Sequence, residues 1–290
     1  MAAYKASSAS NKNPAFHHQS AVVPKLLNIV TLASKFAEVA FDAQHLKTRF
    51  FCGHLMKKTL SIIMPVYNEK NTVAEAIEHT KKADIGDYNR EIIVVDDGST
   101  DGSTELIKRI SGVKKAFLPR NRGKGAALKE GIKNATGDYI VFHDADLEYE
   151  PADFKYMLPL MESGLADVVI GSRFIGRKQI LFGKGKNVLF LNYVGNMIIK
   201  WAWNILYSHN LSDIYPCYKM MRLSDLKEIN IKADGFVFDL EMMLKLKRKG
   251  KVYVEVPIHF RHRDYKAGKK IGMKVGFISL WYMLWHRFFD

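Results

Sequence analysis

Short apolar runs alternate with longer amphipathic segments between residues 59 and 170. Five runs predict β-strands, at residues 60–64, 91–95, 116–118, 139–142 and 167–170. Four segments between them have the periodicity of helices, at residues 71–82, 103–110, 123–134 and 151–162. The continuous apolar run at 91–95 is typical of a strand that is buried on both faces. Strands that alternate with helices predict βαβ units, and therefore an α/β fold with a mostly parallel sheet.

Polar clusters follow three of the predicted strands. Asn68 follows the first strand, Asp96-Asp97 ends the second, and Asp144-Ala145-Asp146 follows the strand at 139–142. Ligands of parallel sheets bind beyond the carboxyl ends of the strands. The pattern therefore predicts one binding site built from these three clusters.

The first 55 residues have a different pattern. They open with a polar run at 7–14, and residues 29–45 could form one amphipathic helix. A transit peptide would be acid-poor, as this segment is, but it would also be rich in arginine, and only Arg49 is present. Met56-Lys57-Lys58-Thr59 resembles a chain start directly before the first strand. We therefore expect residues 1–55 to be an extension outside the fold, and residues 56–290 to form the folded domain.

Composition and charge narrow the function. The 290 residues are 48% hydrophobic and 26% charged, which excludes a largely disordered chain. The net charge is +14, and two windows carry all of it: 168–212 has six basic residues and no acid, and 245–270 has ten basic residues and two acids. A local excess of this kind predicts a polyanionic partner, such as nucleic acid, an anionic membrane or a phosphorylated substrate.

The number of cysteines and the length of the apolar stretches argue against other classes of protein. Cys52 and Cys217 are the only cysteines, too few for a disulfide framework or a cysteine-based zinc site. No stretch reaches ~18 consecutive apolar residues, so the sequence predicts no membrane-spanning helix.

Asp144-Ala145-Asp146 is the strongest candidate for chemistry. Residues two apart in an extended segment point the same way, so the two carboxylates repel each other unless a cation lies between them. Mg²⁺ and Mn²⁺ prefer such oxygen ligands, and Glu148 could join them. The alternative is a solvated acidic loop.

The segment Asn121-Arg122-Gly123-Lys124-Gly125 opens a predicted helix. Its glycines allow close backbone approach, and a helix N-terminus attracts phosphate. The spacing matches neither a dinucleotide fingerprint nor a Walker loop. A plain helix cap is the alternative.

Four ordered motifs together resemble the family 2 glycosyltransferases of the GT-A fold. They are Pro65-Val66-Tyr67-Asn68-Glu69, Asp96-Asp97-Gly98-Ser99-Thr100-Asp101, Asn121-Arg122-Gly123-Lys124-Gly125 and Asp144-Ala145-Asp146. The resemblance implies a nucleotide-sugar half at residues 56–170 and an acceptor half at residues 171–290.

The same resemblance implies roles for individual residues. Donor binding would fall to Pro65, Tyr67, Asn68, Glu69, Asp97, Lys124 and Ala145. Among these, Tyr67 and Glu69 would meet base and ribose, and Asp97 the base. Asp144 and Asp146, with Glu148, would hold Mg²⁺ or Mn²⁺ against the donor diphosphate. The catalytic set would be Asp144, Asp146 and Arg173.

Motifs in the C-terminal half are similar to those of the polyprenyl-phosphate branch, which includes dolichyl-phosphate mannosyl- and glucosyltransferases. They are Gly171-Ser172-Arg173-Phe174, Cys217-Tyr218-Lys219, the segment 236–241, Glu255-Val256-Pro257-Ile258 and Gly268-Lys269-Lys270-Ile271. The implied reaction moves a hexose from UDP-glucose or GDP-mannose to a dolichyl or undecaprenyl phosphate, with inversion. Many relatives have Gln in place of Glu148, which leaves the role of Glu148 as a metal ligand open. Many also have an arginine near Asn192 that contacts the acceptor phosphate. Here that contact is either missing or made by Lys184 or Lys186.

Basic residues in both windows would clamp the acceptor phosphate. The candidates are Arg173, Arg263, Lys269 and Lys270, because guanidinium and ammonium groups bind phosphate through charge-assisted hydrogen bonds. Each could instead be a solvated surface charge. Asp239 and Glu241 could orient donor hydroxyls or neighbouring lysines, or only favour the start of a helix.

Two segments have the composition of helices that lie in a membrane interface. Residues 188–207 and 271–289 are rich in aliphatic and aromatic side chains, with basic residues among them. They predict a peripheral protein on the cytoplasmic face of a membrane, with room for a membrane partner subunit. The alternative is that both segments simply pack on the catalytic sheet.

Two other functions compete with lipid-phosphate transfer. One is a family 2 transferase with a saccharide or protein acceptor. The other is a nucleic-acid-binding protein, which the charge alone suggests but which does not require a carboxylate pair at a strand end. We therefore expect no nucleic-acid partner.

Overall fold

The computed structural model describes residues 57–175, 186–207, 210–261 and 273–288. The predicted extension at residues 1–55 lies outside the described residues, as do the cysteine at 52 and the basic residues at 184, 263, 269 and 270.

Seven strands form one mixed sheet at the centre of the described chain. They are β1 (Thr59–Val66), β2 (Asn89–Asp96), β3 (Lys114–Phe117), β4 (Tyr139–Phe142), β5 (Val168–Ser172), β6 (Lys219–Arg222) and β7 (Tyr253–Pro257). Their order across the sheet is β3-β2-β1-β4-β6-β5-β7. Strand β6 is antiparallel to both neighbours, and all other pairs are parallel. The predicted α/β fold with a mostly parallel sheet is confirmed.

Helices connect these strands and cover the sheet. They are α1 (Val73–Lys82), α2 (Ser103–Arg109), α3 (Lys124–Asn134), α4 (Phe154–Glu162), α5 (Lys186–Leu206), α6 (Leu223–Lys227), α7 (Phe238–Arg248) and α8 (Met273–Phe288). A short 3₁₀ turn, Pro151–Asp153, leads into α4. Proline suits this start because its missing N–H would have no helical partner there.

The first strand is longer than its apolar run predicts. The predicted run stops at residue 64, directly before Pro65, but β1 pairs with β2 as far as Val66 opposite Asp96. Pairing with β4 stops earlier, at Ile63 opposite Phe142. Beyond Ile63, no residue of β1 pairs with β4. The backbone N–H that proline lacks is therefore not needed on that side, and Pro65 is tolerated.

The register brings the ends of three strands to one edge of the sheet. Val66 lies beside Asp96, and the backbone N–H of Asp97 donates to the Val66 carbonyl (2.8 Å). The N–H of His143 donates to the Ile63 carbonyl (2.9 Å). The three polar clusters that follow these strands therefore share one edge, as the alternation of strands and helices predicts.

No helix within the described ranges is long and apolar enough to cross a membrane.

Glu91 fastens β2 to its neighbours at the opposite end of the sheet. Its carboxylate accepts hydrogen bonds from the Ser61 hydroxyl, from the Lys114 amine, and from the backbone and hydroxyl of Thr136. Burial alone would raise the pKa of Glu91, but these donors lower it to about 2.

Replacement of Glu91 by Gln is expected to reduce stability at neutral pH and to have little effect in acid. Because the folded pKa lies below the ordinary value of 4.5, the carboxylate stabilises the fold above about pH 4.5, and this contribution is lost as the pH falls towards 2. Urea midpoints of wild type and Glu91→Gln should therefore differ at pH 7, and the difference should shrink below about pH 4.5 and vanish as the pH falls to about 2. The exposed Glu105→Gln serves as control. A gap that stays constant over this range would contradict the assignment.

Candidate functional site

The loops that follow β1 and β2 are cross-linked by side-chain hydrogen bonds. Asn68 has a left-handed backbone (φ 56°), which asparagine tolerates better than most residues. Its N–H donates to the Ser99 hydroxyl (2.9 Å), and its side-chain oxygen accepts from the Thr100 N–H (2.8 Å). The Glu69 N–H donates to the Ser103 hydroxyl (2.9 Å). These bonds hold the first two motifs together as one surface.

The first motif presents an aromatic side chain to solvent on that surface. Tyr67 is 46% exposed, whereas Pro65 lies within the last part of β1. The Glu69 carboxylate accepts from the Thr72 hydroxyl (2.7 Å) just before α1. An accessible ring beside a fixed carboxylate is an arrangement that could receive the base and ribose of a nucleotide.

Asp97 is buried and binds backbone amides of the third motif. Its two carboxylate oxygens accept from the N–H groups of Arg122 (2.9 Å) and Gly123 (2.8 Å). Burial raises the pKa of Asp97, and the two amides oppose that shift. Asp97 therefore fixes the position at which α3 begins.

The glycines of the third motif accommodate the protein's own chain. A Cβ on Gly123 would lie 2.7 Å from the Asp234 carbonyl oxygen, and one on Gly125 would lie 2.7 Å from Cβ of Phe238. The Ala126 N–H donates to that same Asp234 carbonyl (3.0 Å). The expected phosphate cradle at this helix N-terminus is thus occupied by Asp97 and by the segment at 234–238. Glycines allow the close approach of a ligand or of another part of the protein, and the sequence does not distinguish between the two.

Lys124 and Asp144 form an ion pair at the carboxyl end of the sheet. The Lys124 Nζ donates to Asp144 Oδ1 (2.6 Å) and lies 3.7 Å from the Cys217 sulfur. The side chains are 20% and 18% exposed. Burial alone would lower the pKa of Lys124, but Asp144 and neighbouring groups hold it well above its ordinary value, so the amine is charged at neutral pH.

The rest of the acidic motif lies in a tight turn. Ala145, Asp146 and Glu148 are buried, and Asp146 Oδ1 accepts from the Glu148 N–H (3.2 Å). Leu147 between them has a left-handed backbone (φ 60°), a strained conformation for a residue with a large side chain. Such strain is often found where a loop must present particular groups to a ligand.

His143 precedes this turn and carries no charge at neutral pH. It is buried, and its Nδ1 lies 3.0 Å from the Tyr218 hydroxyl. Burial lowers its pKa to about 4. His143 therefore contributes no positive charge beside Asp144 at neutral pH, whereas Lys124 does.

Arg173 lies just past the end of β5 and is held by a buried carboxylate. Its Nε and Nη2 donate to the two oxygens of Asp213 (2.8 and 2.9 Å). The guanidinium also lies over the ring of Phe260, 5.4 Å from its centroid. A bidentate pair of this kind fixes the plane of the guanidinium.

The carboxylate of Glu255, in β7, fixes the loop that carries Asp213. It accepts from the N–H groups of Ser212 (2.7 Å) and Asp213 (3.0 Å). Burial raises the pKa of Glu255. Glu255 thus positions the partner of Arg173.

Asp239 and Glu241 lie in the first turn of α7 but face different surroundings. Glu241 is buried, accepts from the N–H groups of Lys232 (3.0 Å) and Ala233 (2.8 Å), and pairs with Lys245. Asp239 has one buried oxygen without a hydrogen-bond partner among the described residues. Glu241 therefore shapes the loop before α7, whereas the described residues leave one buried oxygen of Asp239 unsatisfied.

The chain after β7 passes directly by the acidic turn. The Arg261 N–H donates to the Glu148 carbonyl (2.8 Å), and Tyr149 forms an isolated antiparallel bridge with Phe260. The predicted phosphate clamps at 263, 269 and 270 follow this contact and lie outside the described residues.

Comparison with known families decides the class of the protein. The family model described as glycosyl transferase family 2 matches residues 61–229, more than half of the chain. The chain belongs to glycosyltransferase family 2. The fold is that of the GT-A enzymes.

Curated relatives agree with this family. A low-salt glycan biosynthesis hexosyltransferase of Haloferax volcanii is 29% identical over 72% of this chain and 49% of its own length. Glycosyltransferase AglJ of the same organism is 30% identical over 70% of this chain and 63% of its own. An uncharacterised protein of Methanocaldococcus jannaschii is 27% identical over 82% and 96%. The match thus spans about half of the first relative.

Solved structures share the fold. Glucosyl-3-phosphoglycerate synthase of Mycobacterium tuberculosis, solved with Mn²⁺, UDP and phosphoglyceric acid, has a TM-score of 0.55 and 19% identity over 79% of this chain and 78% of its own. Residues 1–349 of S. aureus TarS, solved with UDP-GlcNAc, have a TM-score of 0.50 and 20% identity over 80% of this chain and 66% of their own.

The donor set of this glycosyltransferase suits a divalent metal that is completed by substrate. Within the described ranges, no three His, Cys, Asp or Glu side chains form a group that could hold an ion by themselves. Asp144 and Asp146 offer two carboxylates, and Asp144 already pairs with a cation, Lys124. Mg²⁺ is typically bound in this way, by one or two carboxylates and the phosphates of a substrate.

Three residues that support the site received no role from the sequence: Asp213 and Asp234 lie outside every motif, and Glu255 stands in one only as part of the family resemblance. Asp213 and Glu255 position Arg173, and Asp234 covers the start of α3. A buried arginine signals that some carboxylate must pair with it, but the sequence does not indicate which one. Cys217 lies beside Lys124 because β6 runs antiparallel, which the apolar pattern did not predict.

Asp97→Asn is expected to lower the free energy of unfolding by about 1–3 kcal/mol, because its amide group would place an N–H against a backbone donor. Urea denaturation measures this loss, and hydrogen exchange at Arg122 and Gly123 should become faster. The exposed Asp87→Asn is the matched control. Unchanged exchange at both amides would show that Asp97 does not hold the start of α3.

Proposed function

We propose that this family 2 glycosyltransferase moves a hexose from a nucleotide-sugar to a polyprenyl phosphate at the cytoplasmic face of a membrane. The donor is UDP-glucose or GDP-mannose, and the reaction needs Mg²⁺ or Mn²⁺. The observation that supports this acceptor is an exposed apolar surface beside the site, formed by α5 and α8.

Helices α5 and α8 pack on the protein with one face and expose apolar side chains on another. Trp203 and Met283 are buried, and the Tyr207 hydroxyl donates to the Met283 carbonyl (2.7 Å). On the outer faces, tryptophans at 201 and 281 are each 62% exposed. Other exposed apolar side chains are Met197, Ile198, Ile205, Phe277, Ile278, Leu284, Trp285 and Phe288. Packing on the sheet alone does not account for this surface.

An exposed apolar surface with several aromatic residues is typical of a protein that contacts a membrane interface. Large exposed apolar patches on soluble domains mark sites of protein or membrane contact, and tryptophan is enriched where a membrane meets water. Lys200 and Arg287 lie among the exposed aromatic residues and suit anionic lipid headgroups.

A small pocket connects this surface with the neighbourhood of Arg173. It is lined by Phe174, Asn196, Met197, Lys200, Ser212, Asp213, Ile214 and Tyr215. Asp213 is the partner of Arg173, and Phe174 follows Arg173 in the chain. A polyprenyl phosphate has one anionic end and a long apolar chain, so it matches a path that runs from a basic group to an apolar surface.

The proposed reaction is a single displacement. An acceptor phosphate oxygen forms a bond with the anomeric carbon, the bond from that carbon to the nucleotide diphosphate breaks, and the configuration inverts. No general base is required because the second pKa of a phosphate is about 6. A divalent cation held by Asp144 and Asp146 would neutralise the leaving diphosphate. Arg173 would hold the acceptor phosphate with the N–H groups that Asp213 leaves available.

A second candidate, transfer to a hydroxyl of a saccharide or protein, is favoured by Asp239. A hydroxyl acceptor must lose a proton, and a carboxylate at the site could take it. Asp239 has a buried oxygen without a hydrogen-bond partner among the described residues. The acceptor assay below separates the two candidates.

Transfer of labelled hexose to polyprenyl phosphate is expected when the full chain is supplied with Mn²⁺ and either UDP-glucose or GDP-mannose. In Asp146→Asn, kcat/KM should fall by at least about 100-fold, because stabilisation of the leaving diphosphate is worth several kcal/mol. Asp87→Asn should retain the wild-type rate. Transfer that needs a saccharide or protein instead of the lipid phosphate would favour the second candidate, and undiminished transfer by Asp146→Asn would refute the metal assignment.

Flotation with liposomes that contain anionic lipid tests the membrane surface. The wild type should float with the vesicles at low salt, and the double variant Trp201→Ser/Trp281→Ser should stay largely unbound, because two interfacial anchors are removed. Tyr156→Ser removes an aromatic residue of α4 that is 56% exposed, and it serves as the matched control. Equal flotation of the double variant and the wild type would contradict a membrane role for this face.

A further inference from the structure

We propose that Lys124 serves as the counter-ion that Asp144 gives up on substrate binding, so that metal and nucleotide-sugar bind interdependently. The inference deepens the proposed function and rests on its metal site. Lys124 would compete with the metal for one carboxylate oxygen of Asp144.

The ion pair occupies a ligand oxygen. Lys124 Nζ lies 2.6 Å from Asp144 Oδ1, and both side chains are mostly shielded from solvent. A divalent cation that takes this oxygen would come within a few ångströms of the ammonium group. Like charges at such a distance repel strongly where solvent screening is weak. In the absence of nucleotide, Lys124 therefore lowers the affinity of Asp144 for the metal.

The nucleotide diphosphate removes this conflict. It carries negative charge on oxygens that bind both ammonium groups and divalent cations. With the diphosphate in place, Lys124 has a new partner and Asp144 becomes available to the metal. Each ligand then raises the affinity for the other by the same factor, because coupling between two bound ligands is reciprocal.

Only the side chain of Lys124 has to move. The residues around it are tied by their backbone: the amides of Arg122 and Gly123 to Asp97, and the amide of Ala126 to the Asp234 carbonyl. The lysine has a flexible four-carbon stem, whereas its Cα position is fixed. A change of side-chain rotamer can therefore transfer the amine from Asp144 to the diphosphate.

The test is isothermal titration of the full chain with Mn²⁺, with and without UDP. In the wild type, UDP should raise the apparent Mn²⁺ affinity by about tenfold or more, within the usual range of coupling between ligands. In Lys124→Met, Mn²⁺ should bind more tightly than in the wild type when UDP is absent, and UDP, which still supplies phosphate ligands, should raise the Mn²⁺ affinity by a smaller factor than in the wild type. Lys133→Met removes an exposed lysine of the same helix and should leave the wild-type coupling intact.

A second variant covers the case in which Lys124→Met fails to fold. Asp144→Asn releases the lysine from its partner, so UDP should bind more tightly than to wild type in EDTA. Lys124→Arg keeps the charge and should keep the coupling. Thermal melts establish that each variant is folded.

The outcomes separate the two levels of the proposal. Mn²⁺ binding to Lys124→Met with wild-type affinity and wild-type response to UDP, or no gain in UDP affinity for Asp144→Asn, would overturn the role of Lys124 alone. Failure of the wild type to bind Mn²⁺ even in the presence of UDP would overturn the metal site of the proposed function, and this inference with it.

Discussion

The start of helix α3 is held from two sides, and the charged groups of the site depend on that restraint. On one side the Asp97 carboxylate binds the amides of Arg122 and Gly123. On the other side the backbone at Asp234 approaches so closely that only glycine fits at positions 123 and 125. The restraint joins the loop after β2 to the loop before α7. The restraint fixes the backbone of Lys124, and the ion pair with Asp144 then holds its amine at the end of β4.

The two halves of the site are stabilised in different ways. At the ends of β1 and β2, short polar side chains bind backbone groups of the neighbouring loop, as Asn68 does with Ser99 and Thr100. Around Arg173 the groups are charged: a guanidinium, the Asp213 carboxylate and, behind it, Glu255. Neutral contacts therefore fix the loops after β1 and β2, whereas a bidentate ion pair fixes the plane of the Arg173 guanidinium.

Local chemistry explains which parts of the structure could be predicted from the sequence. The strand at 139–142 and the carboxylates after it were predicted because their signals lie within a few residues of one another. The sheet edge followed from the rule for parallel strands. The extent of β1 beyond its proline was not predicted, because it depends on where β4 stops pairing.

Long-range partners account for the remaining differences. The glycines at 123 and 125 indicated either a phosphate site or a plain helix cap. In the structure, the group that approaches them is a segment of the protein more than 100 residues away in the chain. The pairing of Arg173 with Asp213 is likewise invisible in sequence, since many carboxylates could satisfy a buried guanidinium. The resemblance to a family named candidate residues for the site, and it gave no indication of their partners within the protein.

The reversed direction of β6 has a consequence for how the enzyme can change over time. Strand β5 ends at Ser172 on the edge where the site lies, and β6, which is antiparallel to β5, begins at Lys219 on that same edge. The connection between β5 and β6, which includes α5, therefore begins and ends at the same edge of the sheet. Substitutions or insertions within this connection need not disturb the order or register of the sheet. The connection can therefore vary in length and sequence while the strands that carry the acidic turn stay in place.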